Sequence, residues 1–429
     1  MTDPGGGAAP SGFAPLRVRD FRLLLAGLVM SSALMPLQFV TQIFWIQENV
    51  AAGAEIVLVG LIGSMRGIGA LTFGLYGGAL ADRFDRRKLL IVTQSGGIAL
   101  NLGIAAIMWL SDAGPLALTM FFLLTLLVSG TFAIDAPTRQ AMVPDILGPR
   151  LLPAGISLNT AGMQIAMPVS LFASGLLVDS LGFAAAYALS GVGLFCEVVA
   201  VALMHYRPQP AAGRVPGRYG FRRTVEDVRE GIRYTRSNPT VRWVIILMVV
   251  MMALGFPAVA NLGPTWITTV VDVPFRYFGF IALTWGLGAF LASLTMTRFA
   301  AYRRKGLLLA CGAGGFAVGF VIFAIPLVAT AVIGNLVLGV SLATAQISSM
   351  TLVQLLVPNE VRGRVMSLLQ LNMGIAQLLT LPIAAVAQAT ALEVVFPALA
   401  ASVVVAVAAI ITGQRRRLGR AGLAAASPA

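Results

Sequence analysis

Residues 57–88 read VLVGLIGSMRGIGALTFGLYGGALADRFDRRK, an apolar, glycine-rich run with a single arginine, Arg66, inside it. It ends abruptly in the charged cluster Asp82-Arg83-Phe84-Asp85-Arg86-Arg87-Lys88. About 20 apolar residues match the ~30 Å hydrocarbon core of a bilayer. A basic cluster at the end of such a run marks the cytoplasmic side. The same alternation continues in both directions along the chain. Of its 429 residues 58% are hydrophobic and 11% charged, against roughly 25% charged in soluble domains. Too little polar surface remains to cover the fold in water. The class predicted is an all-α membrane protein.

Apolar runs between charge clusters place about twelve transmembrane helices. They fall near 21–46, 57–81, 89–110, 115–135, 153–178 and 183–205 in the first half. In the second they fall near 241–271, 277–299, 306–326, 329–351, 364–389 and 392–412. The spacing calls for tight turns between spans 3–4, 5–6, 9–10 and 11–12. The long connection separates two six-helix bundles, 21–205 and 241–412, with tails at 1–20 and 413–429 and a linker at 206–240. Within the linker, Phe221, Val225, Val228 and Ile232 recur at helical spacing among arginines and acids. That pattern fits an amphipathic helix on the membrane face or a solvated linker helix.

Read alone, the net charge of +13 points to nucleic acid. The positions overturn this, since of the 30 cations all but Arg66 and Arg276 fall in segments on one side of the membrane. Nucleic acid is therefore not expected as a partner, and both termini are assigned to the cytoplasm. No basic n-region precedes the first span, which then acts as its own insertion signal. Cys196 and Cys311 lie in apolar runs, so no disulfide framework is expected, and the single histidine, His205, has no second ligand near it for a metal.

The halves repeat each other. Gln140–Asp145 and Gln354–Asn359 share the pattern Q-x-x-V-P-D/N, and Arg83-Phe84 with Arg86-Arg87-Lys88 is echoed by Arg298-Phe299 with Arg303-Arg304-Lys305. Duplicated halves are what alternating access about a midplane site requires.

On these motifs the chain resembles the major facilitator superfamily. Gly78-Ala-Leu-Ala-Asp82-Arg83-Phe-Asp85-Arg86-Arg87-Lys88 is similar to the family signature G-x-L-a-D-r-x-G-r-k, with Asp85 where glycine is usual. ADRFDRRKLL (81–90), DAPTRQAMVP (135–144) and EGIRYTRSNPTVRW (230–243) resemble the branch of the enterobactin exporter and drug-efflux proteins. Helix 1 carries Met35-Pro36 where that branch often has Gly-Asp, and helix 5 keeps only Pro168 of the antiporter-like motif. The resemblance implies a conformational latch formed by Gly78, Asp82, Arg83, Arg86 and Arg87, with Asp135 and Arg139 in the same cytoplasmic charge cluster. Gly78 permits close helix approach, and Asp82 suits a neighbouring helix N-terminus.

Arg66 sits roughly 14 Å into its span, beside a seam of Gly60, Gly63, Gly67, Gly74 and Gly78. It either faces the cavity to meet an anionic substrate or coupling carboxylate, or satisfies backbone carbonyls between helices. Glu197, about 21 Å into helix 6, is either a hydrogen-bonded structural acid or a proton carrier. The resemblance implies a cavity lined by helices 1, 4, 7 and 10, with 2, 5, 8 and 11 alongside. Candidate binding groups are Gln38 and Gln42; Asn159 and Gln164; Asn261, between Pro257 and Pro264; Asn335 and Gln346; and the helix-11 stripe Met366, Gln370, Met373 and Gln377.

The function implied is secondary transport by alternating access. Its expected form is proton-coupled efflux of a small amphipathic, siderophore-like or drug-like compound by a monomer in the cell inner membrane. An importer, or a non-transporting membrane sensor or assembly protein, is the rival. No nucleophile–base pair, metal cluster or phosphate loop points to an enzyme, and no cofactor is expected.

Overall fold

The computed structural model describes residues 13–50, 53–206, 221–299, 302 and 304–414, and every regular element among them is helical. Helix α1 spans Arg19–Asn49, α2 Glu55–Arg83 and α3 Arg86–Leu110. The next, α4, runs Pro115–Leu181, and its 67 residues are too many for one crossing at about 1.5 Å each. Gly148 breaks it at φ 64°, a left-handed conformation that glycine adopts without a Cβ clash. Gly182 turns the chain at φ 76° into α5, Phe183–Ala202. Eleven helices among the described residues are long and apolar enough to cross a membrane, and α4 is long enough to do so twice, once on each side of Gly148.

The linker helix α6, Phe221–Ser237, precedes α7, Pro239–Val250. Asn238 caps α7, its side chain accepting the backbone N–H groups of Thr240 and Val241. Beyond Val250 the helix widens into π-turns at Met251–Gly255, Pro257–Asn261 and Trp266–Val270, with the short α8, Gly263–Thr265, between them. Leu262 N–H bonds Pro257 O, and Val271 N–H bonds Trp266 O, each five residues back at 3.0 Å. Pro257 and Pro264 remove i→i−4 donors here, which is where helices leave α geometry. The second half continues with α9 (Phe275–Arg298), α10 (Lys305–Phe323), α11 (Val328–Leu356), α12 (Asn359–Leu378), α13 (Thr380–Ala389) and α14 (Leu392–Gly413).

Helices run past the expected spans because their polar ends leave the hydrocarbon; α11 reaches Leu356 rather than 351. The four tight turns fall at 111–114, Gly182, 324–327 and 390–391. The repeated Q-x-x-V-P motif behaves differently in its two copies. In the second, Pro358 separates α11 from α12; in the first, the helix passes through Pro144 and breaks only at Gly148.

In the first half α1, α2 and α3 pack on α4 and α5; in the second α9, α10 and α14 gather around α11 or one another. The two sets meet along α2 with α12 and α13, and along α4 with α9. Glycine lines both seams. A Cβ at Gly63 would lie 2.8 Å from Thr380, one at Gly67 2.8 Å from Leu378 N, and one at Gly286 would overlap Pro168.

The end of the bundle that carries α6 is the linker side, and the other the far side. The far side is shut. Phe44 of α1 stacks on Phe275 at 4.4 Å and meets Phe278 edge-on at 5.2 Å. Gln388 Oε1 accepts the Ile56 N–H at 3.0 Å, tying α13 to the start of α2.

Candidate functional site

A cavity of about 640 Å³ lies between the halves on the linker side. Its walls come from α1 (Met35, Gln38, Gln42), α2 (Arg66, Ala70, Leu71, Gly74), α4 (Thr125 to Ala133) and α12 (Gly363 to Gln377), with Val228 of α6 at the mouth. Met35 and Met373 are each about half exposed to it (50% and 46%), so the space opens rather than being enclosed. The deep end carries Arg66 and Gln377, and from there the far-side aromatic layer closes the path.

Arg66 is held from one side only. Its guanidinium donates to Gln42 Oε1 at 2.6 Å and lies 4.3 Å from the ring centroid of Phe39. The Gln42 amide nitrogen donates in turn to Thr125 Oγ1 at 3.0 Å and Tyr187 Oη at 3.2 Å. Four crossings thereby orient one side chain: α1 supplies Gln42 and Phe39, α2 the arginine, α4 Thr125 and α5 Tyr187. Ser129 adds a bond from its hydroxyl to the Arg66 carbonyl at 2.7 Å. Among the described residues, no backbone carbonyl accepts from the Arg66 guanidinium.

Of the candidates, Gln38, Gln42, Arg66 and Gln377 reach the cavity wall. Asn261 stands one layer behind it, donating to Gln377 Oε1 at 2.9 Å and to Thr380 Oγ1 at 2.6 Å. Asn335 is buried and turned to α9, donating to Ile281 O at 3.4 Å. Asn159 and Gln346 are likewise absent from the described cavity wall, as are spans 7 and 10 expected to line it. The side chains of Gln164, Gln370, Asp82 and Arg83 lie outside the described residues, as does the environment of Gly78.

The rest of the signature loop is described, and several bonds tie it to the first half. Asp85, in the position usually glycine, N-caps α3 by accepting the Lys88 N–H at 3.1 Å. Arg86 donates to Asp145 at 2.6 Å and Ala141 O at 2.9 Å. Arg87 donates to Val201 O and Ala202 O, carbonyls at the C-terminal end of α5. Tyr206 Oη donates to the same Asp145 at 2.7 Å, and burial together with this bond pushes its phenol up to about 12. Arg139 pairs with Asp135 and, at 2.6 Å, with Glu197, which also accepts from Gln94 at 3.3 Å. All four side chains are buried. Glu197 is thus a paired core acid of the first half.

Helix α6 packs on α12: a Cβ at Gly231 would lie 2.8 Å from Arg364 O, Ile232 stays 39% exposed, and Glu230 pairs with Arg364 at 2.6 Å. Phe221 and Val225 lie outside the described side chains. Phe39, Thr125, Ser129 and Tyr187 join the site without being singled out by their sequence. Thr125 and Ser129 stand four apart, so a polar stripe on one helix face was the available signal.

The comparisons agree with this architecture. The Major Facilitator Superfamily profile matches residues 23–381. The enterobactin exporter EntS of Shigella boydii serotype 18 is 23% identical over 365 residues, covering 83% of this chain and 80% of that one. EntS of Escherichia coli O81 has the same identity and coverage. Among solved structures, a mutant of the nucleoside transporter NupG superposes with TM-score 0.72 at 16% identity, covering 92% of this chain and 99% of that one. A bacterial homologue of the lysosomal transporter Spinster, inward-facing and unoccupied, gives TM-score 0.68 at 14% identity, covering 96% and 99%. The chain is a multi-pass membrane protein of the transporter class and not an enzyme; it belongs to the Major Facilitator Superfamily.

Proposed function

We propose that the protein exports a small amphipathic compound across the bacterial inner membrane by alternating access, with 21–205 and 241–412 as the rocking bodies. The observation that carries this is the cavity between the halves, open on the linker side and sealed beyond Arg66 by the Phe44 layer. That is one of the two states alternating access needs. The arginine-rich linker supports a cytoplasmic open side and cytoplasmic termini. One chain builds the whole cavity, so a monomer suffices. Likeness to EntS supports export over import. Protons are the proposed driving ion, and Asp135 and Glu197 are the groups to carry one, because two acids share the single Arg139.

Counterflow of candidate amphipathic compounds in proteoliposomes tests the reading. Accumulation of labelled compound against unlabelled is expected. A purified, folded protein that binds such a compound yet never exchanges it across the membrane would make it a sensor.

A further inference from the structure

We infer that the cavity recognises an amphipathic organic monoanion, a planar carboxylate or phenolate head on an apolar body, whose head is received by Arg66. This rests on the transporter reading above. The charge lining the cavity has one sign: among the described wall residues there are Arg66 and Arg364 and no acid. Arg364, at the mouth, faces Glu230 at 2.6 Å, so its charge is answered. Arg66 has a neutral partner, Gln42. A cation at mid-membrane depth is costly unless water or an anion answers it, and Arg66 lines the cavity from which one can come.

The geometry favours a planar anion. A guanidinium carries five N–H donors, and the bond to Gln42 uses one. Phe39 covers a face of the group, leaving the edge of the fork, which carboxylates meet with two parallel bonds. Gln42 is tied to Thr125 and Tyr187, so the arginine is positioned before any ligand arrives. The opposite wall adds another donor: the Gln377 carbonyl is occupied by Asn261, so what this amide offers a ligand is its N–H groups. An ammonium group would find donors where it needs acceptors. Leu71, Val128, Phe132 and Leu371 supply apolar surface for the body. Cavities of about 300–1,000 Å³ hold drug-sized molecules, and this one falls within that range.

A charge series on one body tests the inference. 2-Naphthoate, 2-naphthamide and 2-naphthylmethylamine are titrated into the full chain in phosphatidylcholine nanodiscs, with melting temperature as readout. Naphthoate is expected to half-saturate at a concentration at least about tenfold below the other two, the scale of a charge-assisted bond. Arg66→Gln should shrink that preference to within about threefold, and Arg66→Lys should keep part of it, having the charge without the fork. Should Arg66→Gln fail to fold, the wild-type ranking and Arg66→Lys decide. Nanodiscs containing phosphatidylglycerol separate two sources of the same chemistry. Competition with naphthoate assigns the anion to the lipid, and its absence to a free organic acid. Equal or tighter binding of amide or amine overturns the inference. So does a preference that survives Arg66→Gln, or no binding by any member. Spin labels on the far and linker sides keep the two readings apart. A protein that switches between two distance populations yet prefers the amine remains a transporter without an anion site. A single fixed distance sinks the transporter reading itself.

Discussion

Arg139 on α4 reaches Glu197 on α5 at 2.6 Å while Asp135, one turn back on its own helix, holds the same guanidinium. The three charges are buried within the first half, away from the cavity wall. Removing the base leaves two uncompensated acids, whereas removing Glu197 leaves a balanced pair. Arg139→Gln is therefore expected to cost roughly 3–5 kcal/mol of stability. Glu197→Gln should cost under about 2 kcal/mol, since an amide still bonds Gln94 and Arg139. Thermal unfolding of both purified variants checks the order; Glu197→Gln as the worse of the two would contradict it.

The glycine seams give a position-specific test. A Cβ at Gly67 meets Leu378 N at 2.8 Å and Gly374 O at 2.9 Å, both backbone atoms that have nowhere to go. A Cβ at Gly74 meets only Ala133, at 3.9 Å. Gly67→Ala should disfavour the far-closed state by about 1–3 kcal/mol, raising far-side cysteine labelling. Gly74→Ala should leave labelling unchanged, and equal effects at the two sites would refute the seam as a closure.

Phe44 closes the far side by ring contacts with Phe275 and Phe278. Phe44→Ala should remove about 3–5 kcal/mol of packing, most of it from the closed state. The expected result is a population shift toward far-open, seen as longer distances between labels on α1 and α9. A drop in melting temperature with the distance distribution unmoved would assign Phe44 to general packing instead.

The Glu230–Arg364 pair is half solvated, with side chains 45% and 31% exposed. Such pairs contribute about 0–1 kcal/mol and weaken with salt. Glu230→Gln should barely move the melting temperature but should raise amide exchange in α6, where the helix meets α12. Unchanged exchange would mean that the close packing at Gly231, not the ion pair, holds the linker.

Tyr206 supplies an alkaline signature. Its phenol donates to Asp145, and burial first, then that bond, raises its pKa from 10.0 to about 12. A raised folded-state value means the contribution is complete below pH ~10 and is lost as pH climbs toward ~12, where the folded form also gives up its proton. Tyr206→Phe should lower stability by about 1–2 kcal/mol at neutral pH. It should also flatten the decline between about pH 10 and 12, measured by thermal melts across that range. A mutant whose alkaline decline matches the parent's would show that other groups carry it.

Much of this was legible because lipid enforces simple rules. Apolar run lengths and arginine positions marked every crossing, and Arg66 stood out as the lone cation within a span. Asp85 looked like a departure from the signature until its position, just before α3 and three residues ahead of Lys88, showed a capping role. Other parts needed tertiary contact. Phe39, Thr125 and Tyr187 are ordinary residues of membrane helices; only the meeting of four crossings at Gln42 gives them a task. Asn261 and Asn335 carry the same signal, a lone amide in an apolar run. One stands behind the cavity and the other braces α9 against α11, and only helix rotation separates the two. Glu197 found its partner on α4 because charge balance in a dry core is settled by neighbours, not by sequence distance.

The π-turns between Met251 and Val270 give this one helix a ratchet's spare tooth. A wide turn holds one residue more than an α-turn, so narrowing it releases that residue and turns everything beyond by about 100° while advancing it ~1.5 Å. Asn261 and Trp266 lie downstream of the first such turn, the one against Gln377 and the other stacked on Phe396 at 4.4 Å. The helix can therefore re-index its grip on α12, α13 and α14 without breaking or sliding as a rod. Deletion of a single residue within Met251–Gly255 should consequently be absorbed locally, where the same deletion in the regular α11 would throw every later side chain off its face.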